Sequence, residues 1–233
     1  MADEMKQLSI IIPTLDEAEA IGATLGSLVE LRRRGHEIIV VDGGSSDGTA
    51  ILVRGLADGI VLAPAGRAGQ MNAGARAARG DVLLFLHADS RLPLEADRLV
   101  LQGLAASGLA WGRFDVRITG PHPLLRAVEA MMNLRSRLTR VCTGDQGIFV
   151  RRDAFDAVGG YPGQELMEDI AISTRLRRLS APLCLRQPCL TSARRWESRG
   201  VLRTIMLMWW LRLQYALGVA PARLARAYAR HGH

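Results

Sequence analysis

The chain has 233 residues, of which 48% are hydrophobic, enough for one sizeable α/β domain with its own core. Its net charge of +7 is concentrated near the C terminus, where residues 194–230 hold eight arginines and one acid, Glu197. Only 5% of residues are aromatic and no zinc-finger or RNA-binding motif occurs, which disfavours a nucleic-acid partner. Three cysteines without metal-ligand spacing and the lack of a secretion signal indicate a cytoplasmic protein with reduced thiols.

The first half of the chain alternates short β-branched runs with helical stretches, which is typical of βαβ units around a parallel sheet. Ligands bind to such sheets at the carboxyl ends of the strands, so the loops that follow the strands are the first candidates for a site. Strands are predicted at residues 8–12, 37–41, 59–63 and 81–86, and helices at about 17–34, 46–57 and 69–79.

The second half is predicted to continue the same domain to about residue 200 as mixed strand and helix, because no Pro/Gly/Ser-rich linker divides it. The predicted helices are at about 93–106, 123–140, 152–158 and 168–179, and the predicted strands at 111–118 and 147–150.

The remaining residues, 201–233, are predicted to form an apolar and basic helical extension. Its segment 201–219 is the most apolar of the chain, but Arg203 and Arg212 interrupt it, which disfavours a membrane span. Two interpretations stay open. The helix packs on the domain or on a second copy of the chain, or it lies on a membrane surface, with its arginines on lipid phosphate. The second interpretation would make the protein peripheral on the inner face of the membrane.

Acidic residues stand at or near the ends of three predicted strands. Carboxylates gathered at one sheet edge repel each other, so a cation or a hydrogen-bonding ligand is expected to offset the repulsion. Helix capping explains Asp16 and Asp47 equally well, because both precede helices. It explains Asp42 and Asp89 poorly.

Asp42 leads into a glycine-rich loop, where its carboxylate can accept hydrogen bonds from a base or a ribose. No GxGxxG follows the first strand and no GxxxxGK[ST] occurs, which disfavours NAD enzymes and P-loop ATPases. The motif His87-Ala88-Asp89 follows the fourth strand. One carboxylate with two diphosphate oxygens and water suits Mg²⁺ or Mn²⁺, so Asp89 is the candidate metal ligand. Arg67, in a glycine-flanked loop, suits a nucleotide contact.

Together these segments resemble family-2 glycosyltransferases of the GT-A fold, a Rossmann-like, mixed and mostly parallel sheet flanked by helices. The resemblance covers about residues 7–200, and within the family it is strongest to a short bacterial subgroup named for radical-SAM and selenium-related proteins. The motifs that carry it are 11–17 (IIPTLDE), 41–49 (VDGGSSDGT), 66–72 (GRAGQMN), 87–89 (HAD), 144–147 (GDQG) and 167–169 (MED).

The resemblance implies a nucleotide-sugar donor, UDP- or GDP-linked, and divalent metal. It implies that Asp42 holds the base with Arg67 beside it, and that Asp169 is the general base, with Glu168 orienting it or meeting the acceptor. The dipole of a helix N terminus is the alternative explanation of Glu168 and Asp169. The other implied donor residues are Pro13, Thr14, Leu15, Glu17, Gly44, Gln70, His87, Ala88 and Asp89, and the implied acceptor side is Gly144, Asp145, Gln146, Arg195 and Trp196.

The chain departs from the family pattern at two places. His87 replaces the usual first aspartate of the DxD motif, and residues 192–196 (SARRW) replace the QxxRW motif of processive synthases, which argues against polymer synthesis. The acceptor stays open among a lipid phosphate, a small molecule and a peptide. The rival functions are a sugar-phosphate nucleotidyltransferase and a nucleotide-binding or membrane-docking module without turnover.

Overall fold

The computed structural model describes residues 7–230, without the side chains of Arg195 and Arg199. Its centre is one eight-stranded sheet in the order β3-β2-β1-β4-β7-β6-β8-β5. The strands β1 to β4 are parallel, β7 is antiparallel to both of its neighbours, and β6 is parallel to β8. The predicted mixed, mostly parallel sheet is therefore confirmed. The strands are β1 Leu8–Thr14, β2 Glu37–Asp42, β3 Gly59–Leu62, β4 Val82–Phe85, β5 Ser90–Arg91, β6 Trp111–Ile118, β7 Ile148–Arg151 and β8 Leu183–Thr191.

The sheet is buried on both faces because successive residues of its central strands alternate between two apolar clusters. In β1, Ile10 and Ile12 face one cluster, and Ile11 faces the other. Helices α1 and α5 cover the first face, and α4, α7 and α8 cover the second. The helices are α1 Ala18–Ser27, α2 Val29–Arg33, α3 Thr49–Leu52, α4 Arg67–Ala77, α5 Ala96–Ser107, α6 Leu124–Thr139, α7 Arg152–Ala157, α8 Glu168–Leu176, α9 Arg194–Arg199, α10 Val201–Ala216 and α11 Pro221–Arg230.

Two predicted helices are shorter in the structure. The helix expected at 17–34 is divided at Leu28 into α1 and α2, and the one expected at 46–57 is only α3, a single turn. Ser46 and Asp47, the predicted cap, lie before α3: the Ser46 N–H donates to Asp16, and Asp47 accepts from the Thr49 N–H.

The strands β5 and β8 and the helix α9 were not predicted. Strand β8 contains Pro188, a residue that usually argues against a strand because it lacks the N–H of the ladder. The structure accommodates it at an irregularity, where the register with β6 jumps from Phe114 opposite Leu185 to Asp115 opposite Pro188.

The C-terminal helices pack on the domain, which is one of the arrangements that the sequence left open. Leu211 of α10 and Leu224 of α11 are buried with Met167, directly before α8. The prediction of an extension beginning at residue 201 describes the change in composition, but these helices pack on the segment that carries Glu168 and Asp169. Within residues 7–230, no helix combines the length and the apolarity that crossing a membrane requires.

Close packing of α4 on the sheet depends on Gly74, because a Cβ atom there would lie 2.4 Å from Ile11 Cγ2 and 2.9 Å from Val41 Cγ2. We expect Gly74→Ala to lower the free energy of unfolding by about 1–3 kcal/mol, the usual cost of overpacking a core. Urea unfolding monitored by circular dichroism measures it.

The matched control is Gly69→Ala in the same helix, where the added methyl group meets nothing within 4 Å. Since alanine favours helix over glycine, this variant should gain roughly 0.5–1 kcal/mol. Equal effects of the two substitutions would show that helix α4 does not pack on the sheet as described.

Candidate active site

The loops after β1 and β2 are locked together by their own polar groups. Asp16, in the left-handed region at φ 52°, accepts hydrogen bonds from the backbone N–H and the hydroxyl of Ser46, at 2.7 and 3.2 Å. Asp47 Oδ2 accepts from the N–H of Ala18 at 2.8 Å, at the start of α1, and its Oδ1 accepts from Thr49. Asp47 thus accepts from the first residue of α1 and of α3, which supports its capping interpretation, whereas Asp16 bonds to Ser46, outside any helix. Together these bonds hold the two loops at this edge of the sheet.

Asp42 lies buried at the end of β2 and is held by its own loop. Its Oδ2 accepts from the N–H groups of Gly44 and Ser45, both at 3.1 Å, and its Oδ1 accepts from the Ser45 hydroxyl at 2.5 Å. Gly44 itself has φ 91°, which favours glycine. The carboxylate therefore shapes the loop in this structure, and its contact with a base stays a prediction.

Of the other predicted donor residues, Gln70 is the most clearly committed to the protein. It is buried, and its Nε2 donates to the carbonyls of Thr14 at 2.8 Å and Val41 at 2.9 Å, bridging the ends of β1 and β2. It therefore positions the strand ends and presents no free donor to a ligand. Glu17 is paired with Arg194 at 2.9 Å, which connects the first motif to α9. Leu15 is exposed beside it.

His87 connects the donor motif to the acceptor loop. Its Nδ1 lies 3.2 Å from Asp145 Oδ1, and its ring packs on Gly144, where an added Cβ would come within 2.3 Å of Nε2. The predicted contact of His87 with ribose or metal stays a prediction. Ala88 is buried, and its carbonyl accepts from the Thr24 hydroxyl at 2.6 Å.

Glu168 and Asp169 begin α8 after Met167, which has φ 64°. Asp169 is fixed by two main-chain donors: Oδ2 accepts from Gly144 N–H at 3.1 Å, and Oδ1 accepts from Ile170 N–H at 2.7 Å. Both acids line a small cavity of about 10 Å³ together with Pro13, His87, Gly144 and Tyr161. The structure thus brings the predicted donor and catalytic motifs to one place.

Glu168 is buried, and this environment changes its acidity. Desolvation and then the neighbouring charge of Asp169 raise the pKa of Glu168, while Arg67 opposes the rise. Arg67 has an exposed side chain that the surrounding protein partly desolvates, and the carboxylates of Glu168 and Asp145 nevertheless raise its pKa. The acids that act on Arg67 are therefore Glu168, Asp145 and Asp169, whereas the resemblance placed this arginine beside Asp42.

Asp89 lines a separate open cleft of about 390 Å³ with Arg91 and Arg194. In the described part of the chain, no group donates a hydrogen bond to its carboxylate, and no cluster of three His, Cys, Asp or Glu residues could hold a metal ion alone. One free, half-buried carboxylate fits Mg²⁺ or Mn²⁺ whose other ligands are diphosphate and water. The donor set therefore fits a metal that is shared with substrate.

Two predicted acceptor residues support the protein interior. Gln146 is fully buried, and its amide bonds to Ser136 at 3.0 Å and Thr143 at 3.2 Å, so it holds the loop against α6 and does not face the cleft. Trp196 packs against the apolar cluster of β6, α6 and α10. The side chain of Arg195 lies outside the described residues.

The sequence missed two arginines near the acids. Arg135 of α6 and Arg212 of α10 both lie within the electrostatic reach of Asp169. Arg135 stands among several arginines and carries no distinguishing signal. Arg212 does carry a signal in the sequence: it is a charged residue inside the most apolar segment of the chain, where burial of a charge is unfavourable without a partner or ligand.

Comparison with known proteins places these features in a family. The model described as "Glycosyl transferase family 2" matches residues 9–159. A "PGL/p-HBAD biosynthesis glycosyltransferase" of Mycobacterium bovis is 34% identical over 166 residues, which cover 66% of this chain and 62% of the relative. The chain spans between 40% and 62% of the length of the curated relatives that it matches.

Solved structures share the fold at low sequence identity. TarS of S. aureus in complex with UDP-GlcNAc has a TM-score of 0.65 at 16% identity, covering 80% of this chain and 58% of that one. The mannosyltransferase PcManGT from Pyrobaculum calidifontis, in complex with GDP-Man and Mn²⁺, has a TM-score of 0.63 at 20% identity, covering 99% and 70%.

The raised pKa of Glu168 leads to a prediction about stability. Because the folded state holds this proton more tightly than the unfolded state, ionisation of Glu168 destabilises the fold as pH rises above the unfolded pKa. We expect Glu168→Gln to have a higher Tm than the unmodified protein at pH 8, and a smaller difference at pH 4.5. Thermal unfolding at both values measures this.

Glu165→Gln is the matched control, since Glu165 is exposed three residues earlier in the chain. It should leave the Tm unchanged at either pH. A Glu168→Gln variant that is less stable than the unmodified protein at pH 8 would contradict the destabilising role of the buried carboxylate.

Proposed function

This chain belongs to glycosyl transferase family 2, and from that premise we propose that it transfers a sugar from a nucleotide-sugar donor with inversion at the anomeric carbon. The observation that carries the proposal is the position of Asp169. Its carboxylate is fixed by Gly144 and Ile170 N–H groups at the wall of a cavity that His87 also lines. The catalytic motif and the donor motif thus face each other.

The donor is proposed to be a UDP- or GDP-linked sugar. The structural relatives carry UDP-GlcNAc in one case and GDP-Man in the other, and both share the GT-A fold with this chain. The loops after β1 and β2 present Pro13, Leu15, Glu17 and Asp42 at the carboxyl ends of parallel strands, where ligands of such sheets bind. The motif order also supports membership of the short radical-SAM and selenium-associated subgroup, a name that implies no substrate.

In the proposed mechanism, Asp169 accepts the proton of the acceptor hydroxyl as that oxygen attacks the anomeric carbon opposite the departing diphosphate. The two N–H donors hold the carboxylate in one orientation and leave a lone pair on each oxygen for the acceptor. Glu168, whose pKa is raised by desolvation, is placed to hydrogen-bond the acceptor or to orient Asp169.

Asp89 is proposed to hold Mg²⁺ or Mn²⁺ together with the donor diphosphate. When bound, the metal would stabilise the charge that develops on the leaving nucleoside diphosphate. Arg194 is a further cation beside this carboxylate, and Asp89 is among the charges that raise the pKa of Arg194, after its hydrogen bond to Glu17. Arg194 lies within residues 192–196, the segment that stands in place of the QxxRW motif of processive synthases.

The proposal is tested with two reciprocal variants. Asp169→Asn should abolish sugar transfer, by at least about 10³-fold, while a nucleotide sugar with Mn²⁺ still raises its Tm, because the base acts only in the chemical step. Asp89→Asn should lose the part of that stabilisation that depends on Mn²⁺ and EDTA removes. A panel of nucleotide sugars, scored by thermal stabilisation and by release of nucleoside diphosphate, measures both effects.

Asp153→Asn, which changes an aspartate of α7 on the outside of the domain, is the control and should change neither readout. Unchanged turnover in Asp169→Asn would refute its role as base, and full activity in EDTA would refute the metal. Release of pyrophosphate from a nucleoside triphosphate would favour a nucleotidyltransferase. Donor binding without transfer or hydrolysis would favour a binding module.

We further propose that the protein docks on an anionic membrane surface through α10. The outward face of this helix is apolar, with Trp209 at 63% and Met206 at 66% exposure, and its inward face is buried on the domain. Tryptophan and arginine are the residues that anchor helices at the boundary between lipid and water. The stripe consists of Leu202, Met206, Trp209, Trp210, Leu213 and Leu217.

The charge around this stripe argues for lipid and against a second copy of the chain. Arg203 lies on the exposed side of α10, and α11 adds three exposed arginines, Arg223, Arg226 and Arg230. Two such surfaces would repel each other in a symmetric dimer, whereas anionic headgroups would neutralise them. The acceptor would then be reached from the membrane surface or from solution.

Flotation with vesicles tests the docking surface. The full chain should float with vesicles containing about 30 mol% phosphatidylglycerol and less with pure phosphatidylcholine, because the headgroup charge adds to the apolar contact. The double variant Trp209→Ser, Trp210→Ser should bind these vesicles at least about fivefold more weakly.

The control is Leu94→Ser, which removes an apolar side chain that is equally exposed on the other part of the domain. It should float as the unmodified protein does. The contrary outcome is a full chain that does not bind vesicles and sediments as a dimer. If the double tryptophan variant were then a monomer, the stripe would be assigned to self-association.

A further inference from the structure

Two arginines from separate helices lie near the proposed general base, because α6 packs on α10, and Leu211, next to Arg212, packs on Met167, two residues before Asp169. Arg135 projects from α6 and Arg212 from α10, and Asp169 is the acid whose charge acts on both. The two guanidinium groups are also close enough to each other that the charge of Arg212 lowers the pKa of Arg135. Neither residue belongs to a motif that the donor half of the site uses.

These guanidinium groups are not engaged by the protein. Nη2 of Arg135 is buried and has no hydrogen-bond partner. Among the described residues, neither side chain forms an ion pair within 4.0 Å or a hydrogen bond, whereas thirteen of the other arginines do. The nearest acid, Asp169, already accepts from Gly144 and Ile170.

The environment disfavours both charges in the absence of a ligand. Desolvation, and then the repulsion from Arg212, lowers the pKa of Arg135 to about 10, and desolvation also lowers the pKa of Arg212. A desolvated cation without a partner costs free energy, and two neighbouring cations increase the cost. An anion bound between them would remove both penalties.

The donor diphosphate is not the anion that this pair fits best. The acids acting on Arg212 are Asp169 and Asp145, and the arginine that faces the metal carboxylate Asp89 is Arg194, in the other cleft. Arg135 and Arg212 therefore stand with the general base. The substrate that meets the general base is the acceptor.

We propose that Arg135 and Arg212 form a subsite for a phosphate group carried by the acceptor, which this anchor would orient with its hydroxyl at Asp169. Arginine suits this role because its planar fork binds phosphate oxygens in a bidentate way. The inference rests on the proposed glycosyl transfer and deepens it, since it specifies the chemical class of the acceptor. The phosphate can belong to a soluble ester or to a lipid headgroup.

The test measures binding of inorganic phosphate to the full chain by thermal shift at constant ionic strength, after saturation with nucleoside diphosphate and Mn²⁺. The unmodified protein should show a further, saturable stabilisation by phosphate. Arg135→Gln and Arg212→Gln should each weaken phosphate binding by about tenfold or more, as expected for loss of a charge-assisted hydrogen bond. Their nucleoside diphosphate affinity should be unchanged.

Arg54→Gln, at an exposed position after α3, is the control and should bind phosphate as the unmodified protein does. Circular dichroism of each variant verifies that it is folded, and Arg212→Lys, which keeps the charge without the fork, should bind with intermediate affinity. Competition between phosphate and nucleoside diphosphate would assign the pair to the donor and overturn the proposal, as would phosphate affinity equal in all variants. Absence of nucleoside diphosphate binding would instead count against the proposed function.

Two probes with the same headgroup distinguish the sources of the phosphate. Glycerol 3-phosphate represents a soluble ester, and dihexanoyl phosphatidic acid, used below its micelle concentration, represents a lipid. Tighter binding of the second probe, lost in Arg212→Gln, would indicate a lipid-linked acceptor, and equal binding would indicate a soluble one. Failure of both probes to bind where inorganic phosphate does would overturn the assignment to an acceptor.

Discussion

The site depends on how the fold offsets the negative charge of the carboxylates that gather at one edge of the sheet. Acids this close raise one another's energy unless hydrogen-bond donors or cations offset their charge. Asp16, Asp42 and Asp47 receive main-chain N–H groups from the two loops that they connect, so their charge is used to build the donor rim. Asp89 receives no comparable donor from the described residues, and Glu168 receives only its own main-chain N–H, which does not prevent the rise of its pKa. The edge is thus divided into acids that build the site and acids that are left for ligands.

Much of this was predictable from the sequence. The parallel strands and the position of the site follow from hydrophobic runs that end in polar loops, and both are local patterns. The roles of individual polar residues were harder to predict. The sequence suggested that Gln70 and Gln146 contact ligands, whereas in the assembled fold their amides hydrogen-bond to β1, β2 and α6. The strand β8 escaped prediction because Pro188 contradicts strand propensity, and only its pairing with β6 at an irregular register accommodates it.

The C-terminal helices illustrate the same limit on a larger scale. Composition suggested an extension that begins at residue 201, whereas Leu211 and Leu224 are buried against Met167, one residue before the catalytic acids. A single helix, α10, thereby presents a guanidinium group to the interior and an apolar stripe to the outside. Sequence patterns describe the two faces but cannot say which tertiary neighbour each will meet, and long-range packing decides that.

The contact of His87 with Gly144 links the two parts of the site that we propose to bind donor and acceptor. The imidazole belongs to the turn that leads to Asp89, and the glycine belongs to the loop whose N–H holds Asp169. No space for even a methyl group separates them, so a shift of the turn displaces the loop and with it the orientation of the base. The two halves of the site therefore meet at one rigid contact, and a movement of either half when its proposed substrate binds would be passed to the other.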